Sequence, residues 1–177
     1  MSYLVIAYPE LVDADFNRIQ SFRATHDRLY FSLIEPHITF VFPVVDIDED
    51  VFVSEIIGKS KMVPSFYFDL KCATVNKDAF KEIYHTFLVP DEGYGKIVRL
   101  HDQLYSDKLQ KYHRLDIDFI PHLGIGNSED PKSCKKMVDE WNSTDFSIRG
   151  MINTLSVISF CEGRIRLITE VRLGEMQ

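Results

Sequence analysis

The 177 residues carry a net charge of −7 at pH 7 and an isoelectric point near 5.3, with 45% hydrophobic and 27% charged side chains. Those proportions exclude wholesale disorder, and the length fits one domain over residues 1–177 with a core of its own. The acidic balance argues against a broad binder of DNA or long duplex RNA, which relies on many Lys and Arg contacts to phosphate.

No apolar run approaches the roughly 18 residues of a membrane span, and Met1-Ser2-Tyr3 begins without the basic region of a secretory signal. Cys72, Cys134 and Cys161 are odd in number and lack ligand-type spacing. The expectation is a soluble, cytoplasmic monomer without membrane contact or cofactor, its thiols reduced and buried as small hydrophobes.

In chain order, Tyr3–Pro9 reads as a central strand, and Asp13 or Asp15 as the cap of a helix to about Arg23 with Val12, Phe16 and Ile19 on one face. A strand then runs from Pro36-His37 to Pro43. The acidic run Asp46–Asp50 opens a helix to about Lys59. Phe66–Val75 and Ala79–Val89 read as strands joined by a turn at Asn76-Lys77-Asp78, and a helix follows from about Tyr94 to Lys111. The next strand spans Ile117–Ile125 and contains Pro121-His122. Asp130-Pro131 starts a helix whose Cys134, Met137, Val138 and Trp141 form its apolar face. Strands near Phe146–Ile148, Asn153–Cys161 and Arg164–Leu173 close the chain, the last two joined by a turn at Glu162-Gly163.

The order contains an echo. Tyr3–Pro9 and Tyr84–Pro90 share a Tyr-x5-Pro frame, and each leads through a helix to a Pro-His strand. The recurrence predicts two related lobes. In Pro36-His37-Ile38-Thr39-Phe40 the strand period sets His37, Thr39 and Val41 on one face, opposite Ile38, Phe40 and Phe42. In Pro121-His122-Leu123-Gly124-Ile125 it sets His122, Gly124 and Gly126 together. Proline is tolerated at a strand's first residue, so both histidines stand at strand entrances. Of the six histidines, this repeat singles out His37 and His122. His26, His85, His101 and His113 read as packed or solvated, and no spacing suggests a zinc site.

Two imidazoles without a metal pattern suit acid–base chemistry, because an unperturbed ring titrates near pH 6.5. Phosphodiester hydrolysis uses that pairing: one ring takes a proton from the attacking water, the other protonates the departing oxygen. Thr39 can donate its hydroxyl to a non-bridging phosphate oxygen. Tyr30 and Phe31 are placed to stack a base at a cleft rim, and Arg28, Arg114, Arg164 and Arg166 are the candidates to offset phosphate charge.

His37-Ile38-Thr39 and His122-Leu123-Gly124, 85 residues apart, resemble the two H-x-[ST] motifs of the 2H phosphoesterase superfamily, which includes the 2′-5′ RNA ligase-like proteins and cyclic phosphodiesterases. The resemblance covers nearly the whole chain. It implies a bilobal α+β fold, with two antiparallel sheets flanking a central cleft and helices outside. It also implies metal-independent cleavage of a 2′,3′-cyclic nucleotide or RNA-terminal phosphodiester. His37 and His122 then share the acid and base roles, with His37 leaning to acid, and Thr39 binds phosphate. Gly124 departs from the motif and removes one hydroxyl. A backbone N–H or water, or a group such as Ser128, takes over its role, or the protein is a weakly active or non-catalytic nucleotide binder.

Overall fold

The computed structural model describes residues 1–175. Nine strands, β1 (Ser2–Ala7), β2 (Glu10–Leu11), β3 (Ile38–Val44), β4 (Phe66–Lys77), β5 (Tyr84–Glu92), β6 (Leu123–Ser128), β7 (Ile148–Ile152), β8 (Thr154–Cys161) and β9 (Arg164–Arg172), form two antiparallel sheets. One has the order β3-β1-β8-β9 and the other β2-β7-β4-β5-β6. The expected α+β architecture is what the chain adopts. Each Pro-His motif feeds an edge strand, β3 in one sheet and β6 in the other.

Four α-helices, α1 (Asp13–His26), α2 (Glu49–Ser60), α3 (Tyr94–Leu104) and α4 (Pro131–Asn142), cover the sheets. The packing is crossed. Helix α1 follows β1 and β2 yet lies on β6, while α3 follows β5 yet lies on β3. Helix α3 thus roofs the sheet opposite the one whose strand delivers it, and α1 reaches β6 after the chain has left the β1 sheet through β2, which ties the halves together. Among the described residues no helix is long and apolar enough to cross a membrane.

Local chemistry explains most boundaries. Asp48 caps α2 by accepting from the amides of Asp50 and Val51, and Asp130 caps α4 by accepting from Lys132 and Ser133. At α1 the cap is Val12, which makes no side-chain bond and is exposed; Asp13 and Asp15 lie inside the first turn, where their charge meets the helix dipole. The β4–β5 turn lies later than expected. The Asp78 carboxylate accepts from the Phe80 and Lys81 amides, and its own N–H donates to Ile83. An Asx turn therefore moves the reversal to residues 78–83.

The helix expected to reach Lys111 stops at Leu104. Ser106 is extended and Asp107 has φ +51°, so the chain breaks before a 3₁₀ turn over Asp107–Tyr112. Tyr105, buried at this break, accepts the Phe42 amide on its hydroxyl. Residues 113–122 then run irregularly, and β6 begins only at Leu123. Nor does Phe146 belong to a strand: its ring packs edge-on against Trp141, 5.2 Å away. The two-residue β2, unanticipated, pairs with β7. Of the cysteines only Cys134 is buried; Cys72 and Cys161 are exposed, and all three are free thiols.

The simple alternation predicted for the Pro-His strands fails at one matched place. Val5 pairs with Val41 and Ile6 with Thr39, which leaves Phe40 as an extra residue on β3. Thr86 pairs with Gly126 and Phe87 with Gly124, which leaves Ile125 extra on β6. Each bulge is the third residue after its histidine. A bulge reverses the side-chain alternation beyond it. Val41 is therefore buried in the core rather than on the His37 face. Gly126 turns toward the helices, where an added Cβ would lie 2.7 Å from Met137 Sδ.

Candidate active site

His37 immediately precedes β3 and His122 immediately precedes β6, each behind a buried proline. Their rings are fixed in the same way. His37 Nδ1 lies 2.8 Å from the Glu35 carbonyl and His122 Nδ1 2.5 Å from the Ile120 carbonyl, in each case two residues upstream. A carbonyl can only accept, so each neutral ring carries its proton on Nδ1 and leaves the Nε2 lone pair free. Both rings therefore present the same basic nitrogen.

Their surroundings differ. Phe87 of β5, opposite Gly124 in the ladder, stacks on His122 at 3.6 Å between centroids and 16° between planes. The stack continues through His85, 5.7 Å from Phe87, to Tyr30, 6.3 Å from His85. Tyr30 thus ends an aromatic row that starts on His122. His37 meets the edge of Tyr8, 6.4 Å away. A recess of about 430 Å³ opens beside it, lined by Tyr8, Phe31, Leu33, Glu35, Ile158 and Leu167 among others.

Burial is the main influence on both rings and pushes each below its ordinary pKa, His122 down to about 4. The bonds to Glu35 and Ile120 oppose the shift only in part, and the charge of His37 lowers His122 further. At neutral pH both are unprotonated when nothing is bound.

Thr39 follows His37 on the same side of β3, and among the described residues its hydroxyl bonds to no protein group. Gly124 occupies the matching position on β6. Nothing lies within 4 Å of a Cβ built there, and its φ is outside the left-handed region. The missing side chain therefore leaves open space that a hydroxyl-bearing residue could enter. Ser128 does not supply the hydroxyl: at the far end of β6, its Oγ accepts the Asp130 amide. The candidate arginines are also placed elsewhere. Arg114 is held by both oxygens of Asp116 at 2.7 Å, Arg166 pairs with Glu49 on α2, Arg164 is exposed as the first residue of β9, and Arg28 lines a second recess between α1 and α4.

The residues that hold the two motifs together carry no motif of their own. Arg23, 1% exposed, donates from Nε to Asp27 at 3.0 Å, from Nη1 to Gln20 at 2.9 Å and from Nη2 to the Ile34 carbonyl at 2.7 Å. Asp27, 5% exposed, accepts the Tyr30 amide at 3.0 Å and the Asn127 side chain at 2.6 Å. The end of α1, the segment leading to His37, and β6 are thereby joined by buried polar bonds. In the sequence only Arg23 drew notice, as the approximate end of the first helix.

Two histidines with matched tautomers, at the entrances of bulged edge strands in two antiparallel sheets, define a two-histidine phosphoesterase architecture. A family model described as the 2′-5′ RNA ligase superfamily matches residues 11–164, and the chain belongs to that superfamily. Solved structures with similar folds include apo LigT of E. coli at TM-score 0.56 and 14% identity, covering 98% of both chains. TT0787 of Thermus thermophilus superposes at TM-score 0.66 and 11% identity over 100% of both. Usb1 of Kluyveromyces marxianus does so at 0.56 and 11%, covering 97% of this chain and 98% of its own. No curated protein matches.

Removing Asp27 would leave a buried guanidinium without its counter-ion, a loss of about 3–5 kcal/mol. Asp27→Ala is expected to lower unfolding free energy by that amount in urea titration, and Asn127→Ala by about 1–2 kcal/mol. A second expectation concerns pH. With the folded His122 held at about 4 and an unfolded histidine near 6.5, the unfolded chain binds more protons between those values. Stability is therefore full above pH 6.5 and falls as pH drops toward 4, by on the order of 2–3 kcal/mol from this ring. The melting temperature of His122→Asn, compared with the parent across that window, should lack this part of the decline.

Proposed function

We propose that the chain hydrolyses a 2′,3′-cyclic nucleotide or RNA-terminal phosphodiester, with the rings of His37 and His122 as acid and base and no metal at the reacting phosphorus. We place it in the cytoplasm, where its three free thiols suit a reducing compartment, and take it to act as a monomer. The observation that supports this reading is the shared tautomer: each ring gives its Nδ1 proton to a carbonyl two residues upstream and keeps Nε2 free for proton transfer.

Water attacks phosphorus as a P–O ester bond breaks. One ring accepts the water's proton at Nε2, and the other donates from Nε2 to the departing oxygen, so the pair ends with its protonation exchanged and resets through solvent. His122, held near 4, is unprotonated at neutral pH and takes the base role. His37 is the acid, charged when an anionic phosphate enters and favours its protonated form. Thr39 donates its free hydroxyl to a non-bridging oxygen. The aromatic row ending at Tyr30 offers faces on which a base can stack. Among structures of similar fold, E. coli LigT has been solved with phosphate and with 3′-AMP, an inorganic phosphate and a nucleotide monoester rather than a diester.

A second reading, a nucleotide binder with little turnover, draws on Gly124 and on the absence of the candidate arginines from the histidine pair. Incubation with a panel of 2′,3′-cyclic nucleotides and linear phosphodiesters, with and without EDTA, and product identification by phosphorus NMR separates the two. Turnover in EDTA is expected, and His37→Ala or His122→Ala should each lower kcat by about 10²- to 10⁴-fold. Tight binding without product in the parent protein would favour the binder.

Because Gly124 has room for a side chain, Gly124→Thr is expected to raise kcat by about 10- to 100-fold, by adding one oxygen donor to the transition state. An unchanged kcat would mean that water or backbone already fills that place.

A further inference from the structure

Three side chains outside the Pro-His pair converge where the sequence suggested only packed or solvated histidines. His101 is 1% exposed on α3, Asp102 follows it on the solvent side, and His113 ends the 3₁₀ turn. One ligand atom from each lies within 4.8 Å of the other two. We propose that His101, Asp102 and His113 bind one divalent transition-metal ion, Zn²⁺ above all, as a structural clasp separate from the reacting histidines.

The distance between the imidazoles carries the proposal. His101 Nε2 and His113 Nε2 stand 3.3 Å apart. Two nitrogens each about 2.05 Å from a tetrahedral ion are about 3.3–3.4 Å apart. The rings are also turned for ligation. His101 Nδ1 lies 2.7 Å from the Phe40 carbonyl and must donate to it, so its Nε2 lone pair points at His113. A metal-bound histidine is ordinarily oriented by such a bond from its second nitrogen.

Phe40 is the bulged residue of β3, so the irregularity beside the first motif supplies the orienting carbonyl. Both rings are clamped by stacking, His101 on Phe119 at 3.5 Å and 9°, and His113 on Tyr105 at 4.6 Å and 11°. Little side-chain freedom is left to lose on binding.

Asp102 is exposed and has no cationic side chain within salt-bridge distance among the described residues. Its carboxylate is free to swing onto the ion as third ligand, with water as the fourth. Two imidazoles and one carboxylate suit zinc better than magnesium or calcium, which take mostly oxygen. The ion would pin His113, the first residue of the irregular segment ending at His122, onto α3. Its role is to order that segment, and it takes no part in bond cleavage. A direct hydrogen bond from His113 Nε2–H to His101 Nε2 would give a similar separation without metal, and experiment distinguishes the two.

Chelator-treated protein is titrated with Zn²⁺ by calorimetry and with Co²⁺ by visible absorption. The expected result is one ion per chain, intense d–d bands of tetrahedral Co²⁺, and a melting temperature raised by about 5–10 °C at a hundredfold excess over Kd. His113→Ala, with folding checked by circular dichroism, should weaken zinc at least a hundredfold and abolish the thermal shift. Asp102→Asn on the exposed side should weaken it about tenfold, and His122→Ala should leave it unchanged. No saturable binding, an octahedral cobalt spectrum, or affinity unaltered in His113→Ala would overturn the site and leave a hydrogen-bonded imidazole pair.

Discussion

The buried hub of Arg23, Asp27 and Asn127 is the constraint on which the rest depends. The two Pro-His motifs belong to different sheets, and no backbone ladder joins β3 to β6. Their relation is set by what lies between, which is α1 packed on β6 and the segment from Asp27 to His37. Asp27 faces both ways, taking Arg23 and the Tyr30 amide from the first part of the chain and Asn127 from the second. A buried carboxylate with a complete set of donors tolerates little displacement, because any lost bond leaves charge unpaired in a poor solvent for it. The separation of the two histidines is thereby held by a charge that has nowhere else to go.

Within that frame each motif is built by the same devices. A proline starts the strand, a carbonyl two residues back takes the Nδ1 proton, and a bulge three residues on re-aims the strand. The bulge lets a strand present His37 and Thr39 to the cleft yet return Phe40 and Val41 to the core. On β6 it turns Ile125 and Gly126 inward in the same way. The two halves differ in the side chains beside their histidines: Tyr8 against Phe87, Thr39 against Gly124. In the proposed reaction a phosphate held between such halves meets different polar contacts on its two sides.

Electrostatics favours neutral rings and a locally sparse positive field. Arg23, whose charge reaches His37, is paired with Asp27, and Glu35 stands on the rim of the neighbouring recess. In the proposed reaction an anionic substrate brings much of the charge that protonates the acid. That dependence fits a small phosphodiester better than a long polyanion, in keeping with the net charge of −7.

Much of this was legible in the sequence, because strand and helix periods, proline and Asx caps are local. The α+β content, the Pro-His strands, the cap at Asp130 and the prominence of His37 and His122 all follow from residues a few positions apart. The bulges were not legible, since an extra residue in a ladder is defined only by its partner strand. The same holds for Phe87 under His122, for Asn127 on Asp27, and for His113 meeting His101. Each joins residues 12 to 100 positions apart whose types are ordinary when taken alone. Sequence by itself determined which side chains could do chemistry. Tertiary structure alone decided which of them share a space, because crossed helix packing and sheet register, unlike turn and cap chemistry, are properties of distant segments brought together.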